Sequence, residues 1–203
     1  MERPNIKPVD VSIRTNFEAL ANLYTEAFHR HPFALELGLV EERSLRVLMR
    51  SLMELYSFGF EDTLVYGVVV DGSVVCASVS MSSESHAKIG AMLRFASSSI
   101  RLMGLHAFWK LVNAFYFTVP KYEEPHLYVA LLATLPSHQR RGYGRTMLRF
   151  LLEKARKLGF KGLALSTVKG LPAYRLYLKE GFKVDREAPM GKLTVCHMSK
   201  PVR

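Results

Sequence analysis

"LLATLPSHQRRGYGRTMLRFLLEKARKLGF", running from Leu131 to Phe160, decides how this chain is read. It begins apolar, breaks at Pro136, passes two glycines among arginines, and then repeats apolar residues at helical spacing. Met147, Leu148, Leu151, Leu152, Ala155 and Leu158 make one stripe, and Gly159 stops it. A strand, a glycine turn and a helix follow from that pattern. Gly142 and Gly144 carry no Cβ, so backbone N–H groups there can approach a ligand closely. The first N–H groups of the helix have no partners inside it, and its dipole is positive at that end. Arg140, Arg141 and Arg145 add charge at the same place. The combination predicts an anion site suited to a pyrophosphate, with a plain turn as the competing reading. No Gly-Lys-Ser/Thr follows, and the third glycine of a dinucleotide fingerprint is missing.

Upstream, "VDVSIR" (Val9 to Arg14) alternates and reads as a first strand. Thr15 and Glu18 have capping-box spacing ahead of a helix reaching about His31, with Phe17, Leu20, Ala21, Tyr24, Ala27 and Phe28 on its apolar face. A loop with Pro32 and Gly38 leads to a second helix over about Val40–Tyr56. Two strands joined at Asp71-Gly72 form a hairpin. Lys88–Phe117 is helical, with a break expected at Ser97–Ser99. "PHLYVALLATLP" shows little alternation, as for a strand covered on both faces. "GLALSTV" is a strand, "LPAYRLYLKEGF" a short helix with Pro172 in its first turn, and two strands close the chain at about Lys183–Arg186 and Lys192–Met198. The order is β-α-α-β-β-α-β-α-β-α-β-β, an α/β domain with a mixed sheet.

With 49% hydrophobic and 23% charged residues, the 203-residue chain can bury a core of its own and is not a disordered type. Its 28 basic against 18 acidic residues give a net charge of +10, which favours an anionic partner. No recognised nucleic-acid motif accompanies that charge, so no specific nucleic acid is expected. Cys76 and Cys196 lie in apolar alternating stretches, away from any metal-ligand spacing, and read as buried reduced thiols. That points to a cytoplasmic protein, as does an N-terminus without an apolar signal segment. The most apolar run, Leu102 to Val119, holds His106 and Lys110 and fits a buried or interfacial helix better than a membrane span.

The glycine turn resembles the acetyl-CoA site of the GNAT superfamily of N-acetyltransferases, Q/R-x-x-G-x-G/A, here Gln139-Arg140-Arg141-Gly142-Tyr143-Gly144. "AYRLYLKEGF" resembles that family's second signature, A-x-x-L-Y-x-x-x-G-F, at Ala173, Leu176, Tyr177, Gly181 and Phe182. "EEPHLYVALLATLPSHQRRGYG" is similar to the puromycin N-acetyltransferase branch, which also carries helical residues between its third and fourth strands. The specific match runs from Glu124 to Phe182. The resemblance implies a single domain over residues 1–203, with a mixed, largely antiparallel central sheet flanked by helices. It also implies a splayed fourth strand and a helical insert at about 86–118. One position departs: Gly170 stands where the family often has a cofactor-holding Asn.

By the same resemblance, acetyl-CoA is the co-substrate and no metal is needed. Leu132, Ala133 and Thr134 would offer backbone groups to the pantetheine arm, and Gln139, Arg140, Arg141, Gly142, Tyr143, Gly144 and Arg145 would hold the pyrophosphate. Tyr177 would stand near the thioester sulfur. A phenol is protonated at neutral pH and can hydrogen-bond a leaving thiolate, though full transfer is uphill. His126 is the first choice of general base, with Glu124, Glu84, His86 or a water chain as alternatives. His138 reads as a positioning residue, and His29 and His31 as cleft residues or helix-end charges. The acceptor is expected to be a small-molecule amine. A protein or peptide acetyltransferase, and a non-catalytic module for acetyl-CoA or an anionic partner, are the competing readings. A homodimer is compatible with all three.

Overall fold

The computed structural model describes residues 5–202. Its sheet has seven strands: β1 (Asn5–Pro8), β2 (Leu64–Val70), β3 (Ser73–Ser82), β4 (His126–Thr134), β5 (Gly162–Val168), β6 (Lys183–Met190) and β7 (Leu193–Pro201). They lie in the order β1-β2-β3-β4-β5-β7-β6. Every neighbouring pair is antiparallel except β4 with β5. The helices are α1 (Arg14–Phe28), α2 (Pro32–Glu36), α3 (Glu42–Gly59), α4 (Ile89–Val112), α5 (Tyr143–Lys157) and α6 (Pro172–Lys179). The architecture is the mixed α/β arrangement expected, with helical residues between β3 and β4.

Two cores lie against the sheet. Phe17, Leu20 and Tyr24 of α1 share one with Phe33 of α2, Leu45, Leu48 and Met49 of α3, and Leu111 of α4. Met147, Leu148, Leu151 and Ala155 of α5 form the other with Tyr177 of α6. The stripe read for α5 therefore holds except at its end, where Leu158 is 49% exposed just past the last helical turn. Asp71 (φ 49) and Gly72 (φ 77) both take the left-handed region that the β2–β3 hairpin requires.

Several boundaries differ from the sequence reading. The first strand is Asn5–Pro8 and not Val9–Arg14. Asp10 Oδ1 accepts from the N–H of Ser12 at 2.9 Å and from its hydroxyl at 2.6 Å, which turns the chain where the strand was expected. No capping box forms. Ile13 is the N-cap, Thr15 already lies inside α1, and Glu18 instead takes Arg50 of α3. Pro32–Glu36, expected to be loop, is a helical turn begun by Pro32 and capped by His31, whose Nδ1 accepts from the N–H of Phe33 at 3.2 Å. The insert breaks at Gly104 (φ 79, ψ 164) and not at the serines. Ser97 bonds back to the Arg94 carbonyl at 3.0 Å, and Ser99 is buried, so both stay in the helix. Helix α4 runs on into a π-helical turn, Asn113–Phe117.

β4 does alternate, between buried and half-buried positions, against the expectation of little alternation. A bulge explains how it serves both cores. Val79 opposes Leu131 and Ser80 opposes Val129, so Ala130 has no partner on β3. Leu127 and Val129 pack with the α5 core, whereas Leu131 and Ala133, at the same parity, pack with the α1–α3 core. The extra residue reverses the facing of everything after it.

Candidate active site

β4 and β5 pair only over His126–Val129 against Gly162–Leu165. Beyond that they part, and a cavity of about 130 Å³ opens in the gap. Tyr128 to Leu132 of β4, Leu165 to Val168 of β5 and Tyr177 of α6 form its floor. Phe28, His31 and Phe33 close it from the first helices, Met49, Leu52 and Tyr56 from α3, and Leu111 and Phe115 from the insert. Phe33 stands edge-on to Phe115 at 5.5 Å between ring centroids and to Phe28 at 6.3 Å. No Asp or Glu is among the lining residues.

Burial governs the ionisable groups around the cavity. It pushes the His31 imidazole down and the Tyr128 and Tyr177 phenols up, so all three are neutral at pH 7. Tyr177 is 6% exposed, lines the cavity and packs against Phe182. A polar chain leaves the cavity floor. The Tyr128 hydroxyl lies 2.8 Å from Ser166 Oγ, Ser166 Oγ lies 2.7 Å from His197 Nδ1, and His197 Nε2 lies 2.8 Å from Thr118 Oγ1. His197 is 1% exposed, and desolvation with Arg186 nearby pushes its pKa down to about 4.

The glycine loop follows β4 directly. A 3-10 turn, Pro136–His138, leads to Gln139, whose side-chain amide donates to the Thr134 carbonyl at 3.2 Å. Arg140 (φ 62) and Gly142 (φ 89) both take the left-handed region. Gly142 is the N-cap of α5 and has no side chain to cap it, so the first N–H groups of the helix stay open to an outside partner. A Cβ on Gly142 would meet no protein atom within 4 Å, whereas one on Gly144 would touch Leu176 at 3.6 Å. Of these two loop glycines, Gly142 therefore faces open space and Gly144 does not. Arg140 and Arg141 are exposed, but Arg145 is held by Glu180 at 2.7 Å, and Arg149 reaches the same carboxylate at 3.2 Å.

The structure thus brings Tyr177 and Leu132 to the cavity, sets the loop directly after β4, and leaves other expected residues off the cavity walls. His126 is not among the cavity's walls. It stacks on Tyr122 at 4.3 Å, and its Nδ1 lies 2.8 Å from the Glu124 carbonyl. Glu124 pairs with Lys161 at 3.7 Å, and Glu84 and His86 are exposed. His31 lines the cavity and His29 does not. His138 Nδ1 lies 2.9 Å from the Ser137 hydroxyl beside the loop. Ala133 is buried, and Gly170 (φ 83) sits in the turn after β5, where a Cβ would meet nothing. Sequence reasoning missed Tyr128, Ser166 and His197. A histidine on an apolar strand was the visible signal, but its partners lie on other elements. Among the described residues no group of His, Cys, Asp or Glu could hold a metal, and no helix is long and apolar enough to cross a membrane.

Residues 21–182 match the acetyltransferase (GNAT) family, and the chain belongs to it. Solved structures share the fold over nearly their whole length. Arylalkylamine N-acetyltransferase 2 from Aedes aegypti is 10% identical with a TM-score of 0.70, covering 100% of both chains. A histone acetyltransferase HPA2 and related acetyltransferase from Corynebacterium glutamicum is 19% identical with a TM-score of 0.69, over 100% of this chain and 98% of the other. The PaiA N-acetyltransferase from Thermoplasma acidophilum, solved with coenzyme A, is 14% identical with a TM-score of 0.57, over 98% and 99%.

Proposed function

We propose that the protein transfers an acetyl group from acetyl-CoA to the primary amine of a small, largely apolar molecule in a ternary complex. One observation carries this reading. A splayed β4–β5 gap with an apolar cavity adjoins a helix whose capping glycine faces open space. The open edge of β4 at Leu132, Ala133 and Thr134 suits an extended arm lying along it as a further strand. The open N–H groups from Gly142 to Gly144, with Gln139, Arg140 and Arg141 around them, suit a pyrophosphate. Arg145, committed to Glu180, adds only its field.

Acetyl-CoA supplies the activated acetyl group and a thiolate leaving group. The protein positions the amine, screens it from bulk water and stabilises developing charge. Backbone N–H groups on the diverging part of β4 are the oxyanion donors. Tyr177, its phenol strengthened as a neutral group by burial, hydrogen-bonds the leaving sulfur and does not surrender its proton outright. The aromatic, carboxylate-free lining favours an acceptor with an apolar body over a polyamine, whose second charge would find no counter-ion. His126 would act on the amine only through intervening water. Two buried unpaired thiols fit a reducing, cytoplasmic setting.

Thiol release from acetyl-CoA across aromatic amines, aminonucleosides, polyamines and amine-bearing peptides tests the reading. Aminonucleosides are included because of the Glu123–Gly144 resemblance. Turnover concentrated on apolar primary amines is expected. Tight acetyl-CoA binding with no turnover against the whole panel would replace the enzyme with a binding module, and turnover of peptides alone would replace the acceptor.

A further inference from the structure

The polar chain beneath the cavity has a direction, and that direction ends at the acceptor. The Thr118 hydroxyl donates to the Ala114 carbonyl at 2.9 Å, and a carbonyl can only accept. With its one proton used, Thr118 Oγ1 must accept from His197, which places a proton on Nε2. A neutral imidazole then has a bare Nδ1, which accepts from the Ser166 hydroxyl at 2.7 Å. Ser166, its proton likewise spent, accepts from the Tyr128 hydroxyl at 2.8 Å. Tyr128 is left with lone pairs and no proton to offer, and both it and Ser166 line the cavity.

We infer that the Tyr128 hydroxyl oxygen is the hydrogen-bond acceptor for the attacking amine, and that Ser166 and His197 are positioning residues that fix its polarity. This rests on the acetyltransferase reading for the identity of the amine, and on the hydrogen-bond geometry for the rest. An amine N–H held by Tyr128 leaves the nitrogen lone pair free to attack. A Tyr128 that donated instead would engage that lone pair and block it. The buried imidazole resists protonation, with its pKa near 4 and Arg186 opposite it on β6, so the polarity holds at physiological pH. The Tyr128 phenol, also buried, stays un-ionised and acts as a neutral acceptor.

Nitrogen-15 NMR on the whole protein reads the chain without any substrate. His197 is assigned by its loss in His197→Gln, or by Overhauser contacts from Ser166 if that variant does not fold. At pH 7 the proton should sit on Nε2. An Nδ1–H tautomer or an imidazolium would overturn the proposal. Kinetics with acetyl-CoA and 2-phenylethylamine as probe supply the second arm. Tyr128→Phe should lower kcat/KM for the amine about three- to tenfold, the worth of a neutral hydrogen bond, with acetyl-CoA affinity unchanged. Ser166→Ala should cost a similar factor, and Ser166→Thr should recover most of it although it is the larger intrusion. A purely structural serine would give the opposite order. In the Tyr128→Phe background, Ser166→Ala should cost nothing more; additive losses would sink the inference. Absence of turnover with the probe and the amine panel, alongside the Nε2–H tautomer, would defeat the acetyltransferase reading and leave the polarised chain standing.

Discussion

The glycine loop and the cavity beneath α2 lie along the same splayed strand and are built by opposite means. The loop is local. Gln139 to Arg145 are contiguous, and what they offer is backbone geometry, with a left-handed Gly142 facing open space and a helix start left uncapped. The cavity is dispersed. Its walls come from α1, α2, α3, the insert, β4, β5 and α6, and what they offer is side chains packed against one another. A site made of backbone can lose its ligand without losing the fold. A site made of core side chains cannot be altered so cleanly.

The largest test of that contrast is Phe33→Ala. Phe33 is 9% exposed and packs against Phe28 and Phe115, so its removal should cost about 3–5 kcal/mol of stability, read by denaturant unfolding. A loss below 1 kcal/mol would show the cavity roof to be independent of the core.

Next comes acid. His197 is neutral in the fold to a pH near 4, whereas an unfolded histidine takes up its proton near 6.5. At pH 7 both states are neutral and the group contributes nothing. Between about 6.5 and 4 the unfolded chain binds a proton that the fold refuses, so stability should fall by up to about 3 kcal/mol as pH drops through that window. The slope should shrink in His197→Gln; an unchanged slope would assign it to other groups.

On the loop side, Gly142→Val should leave the melting temperature within a few degrees while weakening acetyl-CoA binding by about tenfold or more. A β-branched side chain is strained in the left-handed region and would occupy the ligand's space. Calorimetry decides between this and a mere turn, for which affinity would be unchanged. Where the two regions meet, Tyr177→Phe should lower kcat by less than about tenfold at constant acetyl-CoA affinity. Burial makes the phenol a poorer acid, which places it below the usual range for a positioned proton donor. Full activity would reduce it to packing. The smallest effect is expected from Arg145→Ala, because Glu180 already holds that guanidinium. Its acetyl-CoA affinity should change less than that of Arg141→Ala, and the reverse order would return Arg145 to the phosphate site.

What could be read beforehand follows the same division. Gln139–Gly144 and Ala173–Phe182 are short runs whose meaning is carried by their own neighbours, and the second delivered Tyr177 to the cavity. The hairpin at Asp71-Gly72 and the stripe on α5 are equally local. Tyr128, Ser166, His197 and Thr118 had no such signature, because each belongs to a different segment, and the sheet's register together with the turn after the insert brings them together. β1 was misplaced because its four residues, Pro8 among them, sit at a sheet edge and carry no buried alternation. His126 was favoured from its position at the start of β4. The strand points it at Gly162 and Tyr122, away from the gap.

The bulge at Ala130 implies something about length. Side chains on a strand alternate, so one unopposed residue is a frame shift written into the fold. Removing Leu132 would carry Ala133 to the α5 side and draw the glycine loop one step back along the strand, whereas removing Ala130 itself would leave Leu131 opposite Val79 and the later side chains facing as they do. Replacing Leu132 with another residue of its size would do none of this. Between Leu131 and Gln139 the fold depends on the number of residues more than on their identity, and a deletion scan of this segment should be far harsher than a substitution scan.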